Sequence, residues 1–182
     1  NTSGSINAQN TTTLKSIIMT FQNVKTDTIL VNGTKFYYRK LGESNDVPVI
    51  FLNHLGATLD NCDPRVMDGI AAKHQIIAFD NRGVGATEGT TPVTIAEMAK
   101  DAISFIKALG YKKVDIIGFS MGAFIAQEIL LQEPQLVRKA VMTGTGPAGG
   151  EGITNVTKIT YLDIFRGLLT FRDPKFYLFF NT

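Results

Sequence analysis

The chain has 182 residues, of which 44% are hydrophobic and 19% are charged, and its formal net charge is +2. This composition favours one folded domain with a buried core over a disordered chain. The small net charge gives no reason to expect a nucleic-acid partner. The single cysteine, Cys62, excludes an internal disulfide and a C-x-x-C metal site, and no apolar run approaches the ~20 residues of a membrane span. We therefore expect no metal and no membrane partner.

The chain begins with a polar segment, residues 1–13, that is rich in Asn, Thr and Ser and shows no periodicity. We predict a flexible tail here. No basic stretch followed by an apolar one is visible, so no secretory signal is predicted and we expect a cytoplasmic protein. Two strand-like runs follow at residues 20–31 and 34–41, joined by Asn32 and Gly33. Asn-Gly favours positive φ at both turn residues and predicts a β-hairpin.

Four short apolar runs then alternate with helix-like segments. The runs are residues 47–52, 76–79, 114–119 and 140–142. They lack polar alternation, which is typical of parallel strands covered on both faces. The helix-like segments open at Asp63-Pro64 and at Thr94, and a third spans residues 121–132. This alternation predicts an α/β fold, with a mostly parallel sheet and helices on both of its faces, preceded by the hairpin.

The last part of the sequence has a different character. Residues 144–152 are rich in glycine, and residues 159–169 carry apolar side chains at helical spacing. The chain ends soon after an aromatic run, residues 175–180, and a soluble chain seldom ends on an exposed apolar segment. We therefore predict a domain core over residues 14–148 and, at 149–182, the beginning of a helical cap or lid in a truncated chain.

The clearest motif is G-x-S-x-G at residues 118–122, with Ser120 at its centre. It lies between a predicted strand and a predicted helix, as a nucleophile elbow requires. Side chains in place of the two glycines would collide with the neighbouring strand and helix, and the helix N-terminus favours negative charge that develops beside the serine. We predict that Ser120 is a catalytic nucleophile on a turn with unusual backbone angles. The alternative is an ordinary glycine-rich turn.

With this motif and three further segments, the sequence resembles the α/β-hydrolase family, in the branch of esterases, lactonases and cofactor-free haloperoxidases. The segments are residues 51–58, 80–87 and 143–147, which follow the third, fourth and sixth predicted strands. The resemblance extends over about residues 20–182. It implies an α/β-hydrolase-like sheet whose last strands this chain lacks, and an enzyme that works without a cofactor.

The resemblance also implies an oxyanion hole made of two backbone N–H groups. One donor is Met121, the residue after the nucleophile, and the other is Leu55 in the loop after the third strand. His54 stands where the family usually has glycine, so His54 and Gly56 stay open as alternative donors. We expect His54, Gly56 and Phe119 to line the site.

The catalytic triad of the family follows the order serine, acid, histidine. The sequence has two histidines, His54 and His74, and both precede Ser120. We interpret His54 as a loop residue that braces the oxyanion turn and His74 as a residue at a helix C-terminus. Asp163 and Asp173 follow the serine but fall in the predicted cap. The triad cannot close within these residues, so we expect a missing C-terminal segment or a second polypeptide to supply its acid and histidine.

Three other features receive structural interpretations. Residues 144–149 match G-x-G-x-x-G, but Pro147 interrupts the turn and the motif follows the last strand, so a dinucleotide site is not predicted. We interpret Asp80 and Arg82 as a pair that holds a loop. Cys62 is interpreted as a buried thiol without a basic neighbour to activate it.

These observations predict a serine hydrolase in which Ser120 attacks an ester, thioester or lactone carbonyl of a small apolar substrate. Perhydrolysis or cofactor-free haloperoxidation would use the same residues. Two alternatives stay open: a ligand sensor with an inert serine, and one fragment of a split or cleaved hydrolase. The aromatic residues of the cap are either ordinary core or the lining of a pocket for an apolar acyl or alcohol group.

Overall fold

The computed structural model describes residues 19–44, 47–148 and 153–171, the last range without the side chains of 153–159. The predicted tail at 1–13 and the aromatic run at 175–180 lie outside the described residues. The described strands are β1 (Asp27–Val31), β2 (Thr34–Leu41), β3 (Val49–Leu52), β4 (Ile76–Phe79), β5 (Val114–Phe119) and β6 (Val137–Thr143). The described helices are α1 (Pro64–Ala71), α2 (Ile95–Ala108), α3 (Met121–Gln132) and α4 (Ile153–Thr170).

The strands form one sheet with the order β1-β2-β4-β3-β5-β6. β1 and β2 form the predicted antiparallel hairpin, and its turn residues Asn32 and Gly33 have φ of 49° and 83°. β2 is also antiparallel to β4, whereas β4, β3, β5 and β6 are parallel to one another. The predicted fold class is thereby confirmed: a mostly parallel α/β sheet that begins with a hairpin.

Two predicted strand boundaries are wrong. β1 begins at Asp27 rather than at residue 20, because the preceding residues form a turn in which the Val24 N–H donates to the Thr20 carbonyl at 2.9 Å. Phe21 in this turn is fully buried, and its N–H donates to an Asp68 carboxylate oxygen of α1 at 2.7 Å. Burial of the phenylalanine and the bond to α1 therefore override the local strand pattern. β6 is longer than predicted and begins at Val137.

Apolar side chains cover the sheet on both faces. On one face, α1 and the turn at Phe21 pack against β3 and β4. On the other, α2 and α3 enclose a larger core whose centre is Phe105 of α2. The Phe105 ring stacks on Phe79 with centroids 4.3 Å apart and meets Tyr38 edge to face at 5.6 Å. This aromatic group joins the hairpin to the parallel strands.

The α1 face of the sheet is covered at β3 and β4 but open at β5 and β6. β6 is the last strand of the described sheet, and every residue of it after Val137 is exposed. Ile117 pairs in register with Val141, and Phe119 with Thr143, so these four side chains share the open face. Val141 is 53% exposed and Phe119 is 42% exposed. The open face therefore reaches the carboxyl end of β5.

The aromatic core makes a direct stability prediction. Phe105→Ala removes a fully buried ring and should lower the free energy of unfolding by about 3–5 kcal/mol. Urea titration followed by circular dichroism measures the change. Val93→Ala, at a residue that is 93% exposed, is the control and should change the stability by less than about 0.5 kcal/mol. Equal losses in the two variants would contradict this account of the core.

Candidate active site

Ser120 lies on a tight turn between the end of β5 and the start of α3. Its φ and ψ are 53° and −115°, which a non-glycine residue rarely adopts. The Ser120 N–H donates to the Thr143 carbonyl at 2.9 Å and so joins the turn to the end of β6. The side chain is half-buried and makes no capping bond, and its hydroxyl has no hydrogen-bond partner among the described residues. The unusual backbone angles expected from the motif are observed.

The two glycines of the motif stand where no side chain fits. A Cβ at Gly118 would lie 2.6 Å from the Ala123 Cα, and a Cβ at Gly122 would collide with the Leu52 carbonyl oxygen. The first turn of α3 therefore rests directly on the main chain at the end of β3. This contact brings the loop after β3 next to the turn that carries Ser120.

That loop, residues 53–57, is a compact turn. The Ala57 N–H donates to the His54 carbonyl at 3.3 Å, and Gly56 has a φ of 74°, which suits glycine. Asn53 holds the start of the loop, because its Oδ1 accepts the His54 N–H at 2.9 Å. Sequence reasoning overlooked Asn53, although a polar residue directly after a buried parallel strand is a signal for the functional edge of such a sheet.

The two predicted oxyanion donors are free to bind a ligand. Neither the Leu55 N–H nor the Met121 N–H has an acceptor among the described residues. Met121 begins α3, and backbone donors in a first turn lack intrahelical partners. The alternative donor His54 already gives its N–H to Asn53, whereas the Gly56 N–H is open. The pair of Leu55 and Met121 stays a prediction, with Gly56 as the alternative to Leu55.

A buried carboxylate holds the residues that follow this loop. Asp80 is 5% exposed and accepts the N–H groups of Leu59 at 2.8 Å and Ala86 at 3.3 Å. Burial raises the pKa of the Asp80 carboxyl above its ordinary value, and the two N–H donors oppose that rise. Arg82 pairs instead with Asp101 of α2 at 2.7 Å. Asp80 and Arg82 therefore hold loops, as predicted, but through separate partners rather than as a pair.

A cleft of about 380 Å³ opens beside the turn that carries Ser120, on the open face of the sheet. Its lining residues are Phe51, Asn53, His54, Asn61, Cys62, Asp63, Val66, Ile117, Phe119 and Thr143. Two of the predicted site residues, His54 and Phe119, are among them. Ser120 adjoins the cleft as the chain neighbour of Phe119, while Gly56 is outside the lining.

The two histidines lie at opposite edges of the sheet. His54 follows β3 at the carboxyl edge, where its ring meets the Phe119 ring edge to face with centroids 5.5 Å apart. His74 lies just before Gln75 and β4 at the amino edge and is exposed, and its N–H donates to the Ile70 carbonyl at 2.9 Å. His54 is thus the histidine near Ser120, and no hydrogen bond joins the two in the described part of the chain.

The other motifs take no part in a second site. Residues 144–148 form a loop instead of opening a helix, and Gln127 of α3 holds this loop by donating to the Gly146 carbonyl at 2.9 Å. Among the described residues, no three His, Cys, Asp or Glu side chains meet as a metal site requires. None of the described helices is long and apolar enough to span a membrane.

Comparison with known proteins identifies the class. Residues 47–178 match the alpha/beta hydrolase fold family, and the chain belongs to this family. An alpha/beta hydrolase fold protein from Chitinophaga pinensis is 38% identical to this chain in sequence. The two structures align with a TM-score of 0.72 over 84% of this chain and 52% of the relative's chain. The resemblance predicted from the motifs is confirmed.

Two curated relatives match shorter stretches. The Mycobacterium tuberculosis (strain ATCC 25618 / H37Rv) protein that bears the name non-heme bromoperoxidase BpoC is 38% identical over 54% of this chain and 38% of its own length. The human serine hydrolase BPHL is 28% identical over 64% of this chain and 41% of its own. The chain thus spans about half the length of the relatives it matches, or less.

Gly122 contacts the end of β3, whereas Gly69 faces open space. We therefore predict that replacing each of them by alanine has opposite effects on the stability of the fold. Gly122→Ala should destabilise the fold by about 1–3 kcal/mol, because the new methyl group overlaps the Leu52 carbonyl. Gly69→Ala in α1 places its methyl group in open space and should raise the stability by about 0.5–1 kcal/mol. Urea unfolding of both variants makes the comparison. A stable Gly122→Ala chain would show that α3 does not rest on β3 as described.

Cys62 provides a chemical test of the cleft floor. It is 3% exposed, and burial raises the pKa of its thiol to about 12. The native chain should therefore react with Ellman's reagent at pH 8 far more slowly than the chain unfolded in urea, since the thiolate is the reactive form. A native rate close to the unfolded rate would contradict both the burial and the protonated state of Cys62.

Proposed function

We propose that this chain is the nucleophile-bearing part of a serine hydrolase that acts on an ester, thioester or lactone carbonyl. The observation that carries the proposal is the backbone of Ser120, which is held at a φ of 53° between β5 and α3, with its hydroxyl unpartnered among the residues that the structure describes. A conformation this costly persists where the surrounding structure enforces it, and such sites are commonly functional.

In the proposed reaction, the Ser120 Oγ attacks the carbonyl carbon, and the C=O π electrons move to the oxygen. The Leu55 and Met121 N–H groups donate hydrogen bonds to that oxyanion, and the N-terminus of α3 adds a favourable field. The tetrahedral intermediate then expels the alcohol, thiol or ring oxygen and leaves an acyl group on Ser120. Water releases the acyl group in a second cycle of the same chemistry.

A serine needs a base to accept its proton, and the base of this reaction is proposed to come from outside these 182 residues. His54 makes no hydrogen bond to Ser120, and His74 lies at the other edge of the sheet. Asp163 in α4 makes no hydrogen bond or ion pair with either histidine in the described residues. We therefore propose that further polypeptide, in the same chain or in a second one, supplies the acid and the histidine at the open edge beside β6.

The proposed substrate is small and largely apolar. The walls of the cleft of about 380 Å³ include four aromatic or aliphatic side chains, Phe51, Val66, Ile117 and Phe119, which suit the acyl or alcohol part of such an ester. The likeness to BpoC favours cofactor-free haloperoxidation or perhydrolysis as a second candidate, in which peroxide would replace water at the acyl group. A ligand sensor with an inert serine is the non-catalytic alternative.

The first experiment measures the activity of Ser120 in the absence of an added acid and histidine. Residues 1–182 alone should hydrolyse p-nitrophenyl acetate only weakly, because an oxyanion hole without a base leaves about 10³–10⁴-fold catalysis over water. Ser120→Ala and His54→Ala are the controls. Robust turnover that both substitutions abolish would overturn the proposal that the base lies elsewhere and would make His54 the base.

Co-expression completes the experiment. The part of the Chitinophaga pinensis relative that this chain does not cover should raise turnover when it forms a complex with residues 1–182. The gain should require Ser120, and a fluorophosphonate probe should label that serine in the complex. A complex that is active with Ser120→Ala would contradict the serine mechanism, and one that neither turns over ester nor labels would support the sensor.

A further inference from the structure

The polar side chains that line the cleft are mostly occupied by bonds within the protein. The Asn53 oxygen accepts the His54 N–H, and its amide nitrogen donates to the Thr58 carbonyl at 3.2 Å. The Asn61 oxygen accepts the Thr58 N–H at 2.9 Å. Both Asp63 carboxylate oxygens bond to Arg65, the closer contact being 2.7 Å. None of these three side chains therefore offers an unbonded acceptor atom to a ligand.

His54 differs from them because one of its ring nitrogens has no partner. Its Nδ1 lies 2.9 Å from the Leu55 carbonyl oxygen. A carbonyl only accepts hydrogen bonds, so Nδ1 carries the hydrogen and the neutral ring has its lone pair on Nε2. Nε2 makes no hydrogen bond among the described residues. In the part of the cleft lining that the structure describes, His54 thus carries an unpaired ring nitrogen that can accept a hydrogen bond.

Two contacts hold that ring in place. The bond to Leu55 fixes the ring from within its own loop, and the Phe119 ring packs against it at 5.5 Å with an interplanar angle of 82°. His54 is half-buried, so its ring is partly desolvated as well as restricted by these contacts. A hydrogen bond is worth more at such a site than at a mobile surface residue, because less orientational freedom is lost.

We propose that His54 Nε2 is the acceptor by which this cleft selects its ligand, and that the ligand joins an apolar body to an O–H or N–H donor. The apolar body would contact Phe51, Val66 and Ile117, which line the same cleft. Where the proposed hydrolase function holds, on which this part of the inference rests, esters that carry a free hydroxyl or N–H are preferred over their methylated counterparts. His54 is then a specificity-determining residue.

The tautomer is tested first. Two-bond ¹H–¹⁵N spectra of the labelled chain in mildly alkaline buffer should place the His54 hydrogen on Nδ1. The sequence has only two histidines, so His74→Gln assigns the signals. A hydrogen on Nε2 would overturn the proposal, because Nε2 would then donate.

Ligand selection is tested with phenol and anisole, which share an aromatic body and differ in the hydroxyl donor. Both are titrated over the same concentration range, up to the aqueous solubility limit of anisole. Phenol should bind about fivefold more tightly than anisole, the effect of one neutral hydrogen bond, and should shift the His54 ¹⁵Nε2 resonance. His54→Phe keeps an aromatic ring against Phe119 and should bind both probes equally, while His74→Phe should behave as the unsubstituted chain does.

Equal affinities of the two probes, a preference that survives His54→Phe, or no saturable binding of either probe would each overturn the proposal. ¹H–¹⁵N correlation spectra establish that every variant is folded. No turnover is measured, and Ser120→Ala should retain the preference for phenol. A negative result of the binding test would therefore not contradict the proposed hydrolysis. Likewise, a catalytically inert Ser120 would not contradict the selection of ligands by His54.

Discussion

The first turn of α3 rests directly on the main chain at the end of β3, and most of the candidate site depends on that contact. Gly122 makes it possible, because any Cβ there would meet the Leu52 carbonyl. With the helix this close, the chain between β5 and α3 must reverse within one residue, and Ser120 takes the resulting φ of 53°. The Ser120 N–H bonds to the Thr143 carbonyl of β6. The carboxyl ends of β3, β5 and β6 therefore meet at the turn that carries Ser120.

Two side chains then stabilise the segment that carries a predicted oxyanion donor. Asn53 holds its beginning through the His54 N–H, and Asp80 holds the residues after it through the Leu59 N–H. Asp80 also accepts the Ala86 N–H and so joins the loops that follow β3 and β4. Backbone donors that are fixed before a ligand binds stabilise a developing oxyanion without reorganisation. This rigidity is the structural argument for a catalytic rather than an incidental role of the loop.

The open face at β5 and β6 bears on our proposal that further polypeptide supplies the acid and the histidine. Parallel strands are normally covered on both faces, yet Phe119 and Val141 are 42% and 53% exposed. The same face forms the cleft beside Ser120. A polypeptide that covered it would bury apolar area and would lie next to the serine hydroxyl. In our proposal, the same polypeptide therefore buries this face and supplies the base.

The sequence alone predicted the features that depend on local residues. The hairpin followed from Asn32 and Gly33, the parallel strands from their apolar runs, and the elbow from the glycines on either side of Ser120, because backbone preference and steric exclusion act within a few residues. Tertiary structure decided the rest. Phe21 is buried against α1 instead of extending β1. Arg82 pairs with Asp101 instead of Asp80. The His54 ring, which follows β3, packs against Phe119 of the neighbouring strand β5. Those partners are far apart in the chain, and only the packing of the sheet and helices brings them together.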